Sequence, residues 1–391
     1  MSYYESIPFW KLYGQYLNVT SENDHLGLIV SGTNEEQKNI DKNISSARNA
    51  LFALLGTALS YKCKVSPTVK MYLWRIYVKP ILISGLSALP IQPVAMNSLT
   101  SFHHKLLRGF LSLSKTSPTI PLYFLVGELP IEATIHLSVL SLFWNIWSNP
   151  QTTAYEIICY IMKMAGEKSA TWSAHVRRLT YMYDLPNPLS LLEGTLWTKE
   201  QWRDLCHARV RIYHEKKLRQ KSRGNHKLIY MNIDTIGLSG CMHPSIQNLT
   251  NTQAVETARP HIRMLAGDYP CFANLSSDRG SDPKCRLCQG CSFESVEHIL
   301  TECTGTKEPR DRILPELLNA VCSFVPENKI LQLPPNHAIM TQFILDCTSL
   351  NLPNGYRVSP AREGLTEIFR ICRQFCFAVN AQRTRLLKLS V

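Results

Sequence analysis

Apolar residues recur every three or four positions along most of this chain, which is the spacing of the buried face of an α-helix. After Asn34 this spacing is kept by Ile40, Ile44, Ala47, Leu51, Leu54 and Leu55. The same pattern predicts further helices at 67–79, 94–113, after 130, and at 152–166, 170–182, 198–220, 254–266, 310–324, 334–350 and 361–387. The sequence therefore predicts a mainly α fold.

The N-terminal stretch has a different pattern. Between residues 7 and 30, aromatic and apolar residues alternate with polar ones, and a polar run at 21–24 separates two such segments. This alternation favours two short strands joined by that run as a turn. We expect a small β-hairpin between about Phe9 and Val30, poorly covered by the rest of the chain, because two strands alone bury little surface.

The length of 391 residues allows one large core or two to three modest ones. Residues 1–8 contain no basic segment followed by an apolar one, so the sequence predicts an intracellular protein, nuclear or cytoplasmic, with reduced or metal-bound cysteines. Two apolar stretches, 71–91 and 133–148, could be taken for membrane spans. The first carries Arg75, Lys79 and two prolines, and the second is short for a bilayer, so both predict buried helices.

The net charge of +12 is unevenly distributed. Residues 203–227 hold nine Lys or Arg against Asp204 and Glu215, a net charge of +7. Such a run attracts phosphate backbones through counterion release, without selecting a nucleotide sequence. A solvated helix face, a linker or a nuclear-localisation signal can have the same composition, so charge alone leaves these interpretations open.

The most specific chemical pattern is formed by Cys285, Cys288, His298 and Cys303, which read C-x2-C-x9-H-x4-C. Two cysteines two residues apart can reach one ion from a single turn, and three cysteines with one histidine fill the four tetrahedral positions of a structural zinc ion. In a continuous helix, His298 and Cys303 would lie about 140° apart. The helix that begins near Ser295 must therefore end by about Thr301.

Other interpretations of these cysteines stay open. Thirteen cysteines allow an accidental cluster, and a C-x-x-C pair can be redox-active. A redox pair of the thioredoxin type lies at a strand-to-helix junction of an α/β fold, which the pattern here does not predict. Cys291 could replace Cys288 as a ligand or be a free thiol, and the turn geometry of C-x-x-C favours Cys288. We expect one structural zinc ion with no open position.

Several stretches in order along the chain resemble the C-terminal part of the reverse transcriptase of non-LTR (LINE-like) retrotransposons. They are 25–29, 46–56, 77–86, 106–119, 127–133, 262–269, 341–346 and 377–385. His25-Leu-Gly-Leu-Ile resembles the His-Leu-Gly stretch that closes the polymerase palm, and Tyr77-Val-Lys-Pro-Ile-Leu resembles the family's Tyr-Val-x-Pro-x-Leu. The resemblance runs nearly end to end and depends on the order and spacing of the stretches.

The resemblance implies a palm-end β-hairpin at 1–33, a thumb-like helical domain at 34–150, a helical basic connector at 151–253, a CCHC zinc-knuckle region at 254–310 and a helical tail at 311–391. A polymerase palm holds two Mg²⁺ ions on acidic residues, which in this family include an Asp-Asp pair. No Asp-Asp pair occurs in this sequence. We therefore expect no enzymatic activity and no catalytic residue. Glu128 and Glu132 fit helix-dipole stabilisation better than catalysis.

The resemblance further implies a module that binds RNA or template-primer nucleic acid. The predicted contact residues are Lys105, Arg108, Arg209, Arg211, Lys216, Lys217, Arg219, Lys221 and Arg223. Trp197 and Trp202 are candidate stacking residues, although their helical spacing favours core positions. Two alternatives stay open: a zinc-stapled structural or interaction protein, and an unselected transposon remnant without nucleic-acid function.

Overall fold

The computed structural model describes residues 11–16, 20–55, 65–164, 169–193, 197–234, 236–238, 240–279, 282–288, 292–324, 336–348, 350–351, 357–358 and 362–389. Within these residues helices predominate, and the strands form three two-stranded antiparallel pairs. The predicted mainly α fold with a small N-terminal hairpin is confirmed.

Two hairpins precede the helices: β1 (Lys11–Leu12) with β2 (Gln15–Tyr16), and β3 (Glu22–His25) with β4 (Leu28–Ser31). The prediction of a turn at 21–24 is wrong, because Glu22–His25 form a strand. The chain reverses instead at Leu26 and Gly27, whose φ angles of 49° and 82° suit a two-residue hairpin turn. Residues 7–10 and 17–19 of the predicted strands lie outside the described residues.

The second hairpin is attached to the first helix, α1 (Glu35–Leu55). The side chain of Asn39 accepts a hydrogen bond from the Ile29 N–H at 2.8 Å and donates one to the Ile29 carbonyl at 2.7 Å. It therefore pairs with the strand edge as another strand would. Lys42 Nζ lies 2.6 Å from a carboxylate oxygen of Asp24. All side chains of Glu22–His25 are exposed, so the hairpin is poorly covered.

The remaining helices are α2 (Pro67–Leu73), α3 (Lys79–Ile83), α4 (Pro93–Leu111), α5 (Ile120–Val126), α6 (Ile131–Trp147), α7 (Thr153–Met164), α8 (Trp172–Met182), α9 (Pro188–Glu193), α10 (Lys199–Ser222), α11 (Thr252–Leu265), α12 (Phe272–Arg279), α13 (Lys307–Phe324), α14 (His337–Leu345) and α15 (Arg362–Leu389). A last strand pair joins β5 (Leu350–Asn351) to β6 (Arg357–Val358). In the first half α6 packs against α4, α8 and α10, and in the second half α15 packs against α11 and α13.

A π-turn at Trp74–Val78 connects α2 to α3 and accommodates Pro80. Proline lacks an N–H and clashes with the carbonyl four residues earlier in a regular α-helix. The wider turn, closed by a bond from the Lys79 N–H to the Trp74 carbonyl, relieves that clash without ending the helix. Trp74 and Val78 stay fully buried across the turn.

Both apolar stretches that resemble membrane spans lie in packed helices, as predicted: Met71, Leu82, Val139 and Phe143 are fully buried. Among the described residues no single helix has the length and apolar character needed to cross a membrane. The pair α5 and α6 reaches that criterion only when the two helices are taken together, and they are bent by 64° at their junction.

The interpretation of Glu128 as a helix-dipole residue is wrong. Glu128 lies before the first turn of α6, which begins at Ile131. Its buried carboxylate lies 2.7 Å from Arg75 Nε and 2.7 Å from Lys79 Nζ. Burial raises the pKa of Glu128, but Lys79 and Arg75 outweigh it and hold that pKa below its ordinary value. Glu128 thus ties α6 to the π-turn and α3.

Beside Glu128, residues 240–243 lie against α5. The Gly240 N–H donates to the Gly127 carbonyl at 2.9 Å, and the His243 N–H donates to the Leu125 carbonyl at 2.8 Å. A Cβ on Gly127 would lie 1.9 Å from the Cys241 carbonyl oxygen, so this approach requires glycine. The contact joins the two halves of the chain, which share one continuous hydrophobic core.

Candidate metal centre

A short hairpin presents the first two cysteines of the zinc motif. Lys284 and Phe293 form an antiparallel bridge, the Cys285 N–H donates to the Ser292 carbonyl at 3.0 Å, and the Glu294 N–H donates to the Pro283 carbonyl at 2.8 Å. After Cys285 the chain turns, and the Leu287 N–H points at Cys285 Sγ at 3.4 Å. We call residues 283–306 the metal unit; 289–291, including Cys291, lie outside the described residues.

A π-turn at His298–Glu302 positions the other two side chains. The Ser295 hydroxyl accepts the His298 N–H at 3.0 Å, and the Cys303 N–H donates to the His298 carbonyl at 2.8 Å. The i to i+5 bond widens the turn, so residues five apart lie closer to one face than in an α-helix. The helix ends at Glu302, one residue later than predicted, and Cys303 leaves it with φ −57° and ψ 127°.

The four side chains of the motif converge on one point. Their ligand atoms, three sulfurs and one imidazole nitrogen, all lie within 4.8 Å of one another. Cys285 Sγ lies 3.7 Å from Cys303 Sγ, and Cys288 Sγ lies 3.4 Å from His298 Nε2. Two sulfurs bound to the same tetrahedral zinc ion would be separated by about 3.8 Å, so the cluster has the dimensions needed to hold one metal ion.

Glu302 completes the surroundings of the histidine. Its carboxylate lies 3.1 Å from His298 Nδ1, on the opposite side of the ring from Nε2. A proton on Nδ1 donates to this carboxylate, which fixes the tautomer whose Nε2 lone pair faces the three sulfurs. Metal-bound histidines in proteins commonly have such a carboxylate partner. Glu302 is not among the predicted site residues, although its position four residues after His298 on a helix is a signal that the sequence contains.

The cluster is largely shielded from solvent: Cys285 and His298 are 6% exposed and Cys303 is 0% exposed. Burial raises the pKa of the Cys285 thiol to about 12, although the backbone N–H groups of Leu287 and Cys288 oppose the shift. Burial likewise raises the pKa of Cys303, against the N–H of Gly305. Buried thiolates need a compensating positive charge, which a bound cation supplies.

Close packing joins the two ligand-bearing segments. A Cβ on Gly305 would lie 2.8 Å from both Cβ and the carbonyl oxygen of Leu287, in the cysteine turn. The Thr306 hydroxyl donates to the Ile299 carbonyl at 2.7 Å, and Arg310 donates to the carbonyl of Cys303. Close packing and hydrogen bonds therefore surround the ligand cluster within the metal unit.

A buried ion pair anchors the metal unit to α15. Arg383 lies 2.6 Å from a carboxylate oxygen of Glu294, and their side chains are 8% and 0% exposed. The same carboxylate oxygen accepts the Phe272 N–H at 3.0 Å, and the guanidinium also donates to the Pro270 carbonyl at 3.0 Å. Sequence reasoning missed this pair because no local pattern relates residues so far apart in the chain.

The predicted nucleic-acid contacts fall into two groups. The side chains of Lys105, Arg209, Lys216, Lys221 and Arg223 are exposed. The predicted helix at 198–220 is confirmed, and α10 places Arg209 and Lys216 on one face. Arg209 lies 2.9 Å from the carboxylate of Asp184, which is itself well exposed.

The other predicted cations are half-buried, and three of them contact partners within the fold. Arg108 donates to the Ser117 carbonyl at 2.8 Å, and Arg219 donates to the carbonyls of Ile233 and Ile236 at 3.2 Å each. Lys217 lies 3.7 Å from Glu132, and Arg211 is half-buried.

The tryptophans proposed for stacking belong to the core or its edge. Trp202 is 2% exposed and donates its indole N–H to the Leu140 carbonyl at 3.0 Å, so it is unavailable to a base. Trp197 is half-buried against the core.

A second polar cluster is fully enclosed. His243 Nδ1 lies 2.7 Å from the Ser245 hydroxyl, and Nε2 lies 3.4 Å from a carboxylate oxygen of Asp346. Burial raises the pKa of Asp346, but His243, Thr348 and the Asn232 N–H outweigh it and lower that pKa overall. His243, Ser245 and Asp346 have the composition of a catalytic triad. Each is at most 1% exposed, so a substrate has no access to them. Through Asp346, the cluster joins Asn232 and His243 to the end of α14.

Comparison with models of known protein families and with curated proteins finds no match for this chain. The sequence resemblance to retrotransposon reverse transcriptases therefore stays a prediction. The convergence of the four metal-binding side chains does not depend on that resemblance.

Proposed function

We propose that this protein is a non-catalytic, zinc-stabilised module that binds single-stranded nucleic acid, equivalent to the C-terminal part of a non-LTR retrotransposon reverse transcriptase. One observation carries the proposal: three cysteine sulfurs and His298 Nε2 converge within 4.8 Å, with Glu302 on the other imidazole nitrogen. A set of three sulfurs and one nitrogen, all within 4.8 Å of one another, favours Zn²⁺ over the hard cations Mg²⁺ and Ca²⁺. Four protein ligands fill its coordination, so the zinc would be structural.

Metal content tests the first half of the proposal. Elemental analysis of the purified protein should find about one zinc per chain. Cys285→Ser should release the ion and increase amide exchange throughout the metal unit, because metal binding there contributes folding free energy. Cys241→Ser changes an exposed cysteine outside the cluster and should leave both measurements unchanged. Full zinc retention by Cys285→Ser would contradict the ligand assignment.

The nucleic-acid half of the proposal is supported by the arrangement of α10. Its buried side recurs every four residues, at Trp202, Cys206, Val210, His214 and Leu218. The cations at 209, 216 and 221 are exposed to solvent, as is Arg223 just beyond the helix. Exposed cations retain the freedom to contact phosphates, and the resulting affinity depends on salt more than on nucleotide sequence.

Charge reversal tests this surface. Changing Lys216, Lys221 and Arg223 together to Glu should weaken binding of single-stranded RNA at least tenfold at about 100 mM salt and flatten its salt dependence. Changing Lys307, Arg312 and Lys388 to Glu is the matched control, since these residues are also exposed and the net charge changes equally. Fluorescence anisotropy with a labelled oligonucleotide measures both.

The outcomes separate three possibilities. Equal binding by the reversed variant would move the site elsewhere, first to the exposed Lys105 on α4. No binding by the unchanged protein, even at low salt, would leave the structural alternative as the better one. In either case primer extension with Mg²⁺ should be absent, because no Asp-Asp pair occurs in the sequence to hold the two ions.

A structural or interaction protein is the second candidate, and one observation favours it. Large apolar side chains are exposed along α2, the first π-turn and α3: Val69, Tyr72, Ile76, Tyr77 and Ile81. Exposed apolar stripes often mark protein contacts. Self-association that is abolished by Tyr72→Ser with Ile76→Ser, in a protein that binds no RNA, would favour this candidate.

A further inference from the structure

An exposed aromatic ring lies on the outer side of the metal unit. Phe293 is 63% exposed, although burial of a Phe side chain is strongly favourable. Its neighbour Ser292 is exposed as well. The ring is therefore presented to solvent by the one hairpin whose cysteines converge on the ligand cluster.

The pairing of this hairpin determines which side chains share its outer face. Lys284 and Phe293 are direct partners in the antiparallel bridge, so their side chains lie on the same face. Cys285 is next along the strand and projects to the opposite face, toward the cluster. The hairpin thus has a metal face and an outer face, and the outer face combines an aromatic ring with a cation.

A second cation lies nearby. Arg286 is exposed, and its guanidinium lies 4.6 Å from the ring centroid of Phe272, which holds it in place. Within the hairpin, residues 282–294, the acidic side chains are Asp282, which is exposed, and Glu294, which is buried against Arg383; Glu297 and Glu302 follow it, beside Tyr230 and His298. The accessible charge of the hairpin is therefore positive in balance, which suits a polyanion more than an apolar protein surface.

We propose that Phe293 is a stacking platform for one base of a single-stranded nucleic acid, with Lys284 and Arg286 contacting the flanking phosphates. This inference rests on the proposed function and adds a site to it that is separate from α10. Stacking tolerates every base because each has a π-face, and one stacked base typically contributes about five- to a hundredfold in affinity. The backbone pairing at Lys284 and Phe293 fixes the position from which the ring projects, which lowers the entropic cost of stacking.

Substitution of Phe293 in the zinc-loaded full chain tests the site. Phe293→Ala should weaken binding of a labelled oligouridine about tenfold, with zinc content and the salt dependence both unchanged, since the change removes neither ligand nor charge. Phe293→Trp should bind at least as tightly as the unchanged protein, whereas Phe293→Leu, apolar but not aromatic, should behave like Phe293→Ala. Tyr72→Ala is the control, because Tyr72 is 62% exposed on α2, remote in sequence from the hairpin.

An oligouridine with one abasic position provides the complementary measurement. Scanned along the strand, the abasic position should weaken binding to the unchanged protein at one or two sites and have little effect on Phe293→Ala there. Equal RNA affinity for Phe293→Ala, Phe293→Trp and the unchanged protein would overturn the platform while leaving the proposed function in place. Loss of self-association in Phe293→Ala, with RNA affinity unchanged, would instead assign the face to a second copy of the chain. If the unchanged protein binds no RNA, the platform and the nucleic-acid half of the proposed function are both wrong, and only the zinc half stands.

Discussion

Glu302 determines the orientation of the nitrogen ligand in the metal centre. An imidazole without a partner can rotate and can carry its proton on either nitrogen. The 3.1 Å contact from Glu302 to His298 Nδ1 removes that freedom and places the lone pair of Nε2 among the sulfurs. The carboxylate also stabilises the partial positive charge that a bound cation induces on the ring.

Removal of this carboxylate should weaken metal binding without removing a ligand. Glu302→Gln should lower zinc affinity about tenfold, and Glu302→Ala, which deletes the hydrogen bond as well, up to about a hundredfold. Competition against a chromogenic chelator measures both. Glu308→Gln, at an exposed position in the first turn of α13, is the control. Equal affinity for all variants would show that the rest of the metal unit orients His298.

Gly305 is a second residue whose small size matters. Gly305→Ala places a methyl group 2.8 Å from Leu287, so either the cysteine turn or Cys303 must move. We expect reduced zinc retention and a free energy of unfolding lowered by about 1–3 kcal/mol, the usual cost of overpacking. Gly32→Ala is the matched control, since no atom lies within 4 Å of its added Cβ. Chelator challenge and urea unfolding of both variants provide the comparison, and an unaffected Gly305→Ala would contradict the tight fit.

At the scale of elements, α15 is the support on which the metal unit rests. It packs along α11 and α13, and Arg383 on its solvent-shielded side reaches Glu294 in the ligand hairpin. A buried charge is costly when unpaired, so each member of the pair requires the other. The helix and the hairpin are thereby fixed in one relative position.

Breaking the pair on one side should be strongly destabilising. Arg383→Met or Glu294→Leu alone should lower the free energy of unfolding by about 3–5 kcal/mol, because one buried charged group loses its partner. The double variant Arg383→Met, Glu294→Leu should recover much of this loss. Urea unfolding of all four proteins completes a double-mutant cycle. Additive losses in the double variant would show that the two side chains contribute independently.

The elements differ in how far the sequence predicts them. The bounds of α10 follow from periodicity and from the capping box of Thr198 and Gln201, both of which are local signals. The four metal ligands follow from spacing for the same reason. The π-turn at His298–Glu302 does not follow from local signals. Its i to i+5 hydrogen bond is favoured because the wider turn lets Cys303 reach the other three ligands, and this is a contact between separate segments.

Across the whole molecule, an unusual number of histidines lie inside. In the first half His103, His136, His175 and His214 are buried. The Tyr183 hydroxyl lies 2.6 Å from His136 Nδ1 and 3.0 Å from His214 Nε2. A hydroxyl donates only one hydrogen, so one imidazole accepts it and the other donates to the oxygen. The imidazole that accepts must be neutral, and the chain of hydrogen bonds joins α6, α10 and the end of α8.

Acid should therefore destabilise the first half. Burial lowers the pKa of His103 and His136 to about 3 and the pKa of His175 and His214 to about 4. Their folded-state pKa values lie below the unfolded value near 6.5, so their contribution to stability is complete above pH 6.5. It is lost as the pH falls from there toward 4, by about 1.4 kcal/mol per pH unit for each proton that only the unfolded chain binds.

Tryptophan fluorescence isolates this transition from the metal centre. All seven tryptophans precede residue 203, so their emission reports the first half of the fold. The urea midpoint should fall steadily from about pH 6.5 to pH 5, and His136→Gln should reduce that fall by removing one titrating group. A midpoint independent of pH over this range would contradict the buried-histidine account.

Long-range pairing sets the limit of what the sequence predicts for the whole molecule. Fold class and helix positions follow from local spacing, as does the metal motif. The partners of Glu128, which are Arg75 and Lys79, and the link between Arg383 and Glu294 depend on which helices meet. The sequence alone does not show whether a charged side chain is hydrated or paired with another side chain.

The link between Arg383 and Glu294 also has a consequence for the order in which the chain becomes structured during synthesis. A ribosome releases the metal motif well before it releases α15, so the ligands can capture their ion while Glu294 still lacks its cation. In that interval the carboxylate must stay hydrated, and the inner side of the ligand hairpin stays open to water. The metal unit can thus fold early in the nascent chain, and its inner side is covered only after α15 has been synthesised.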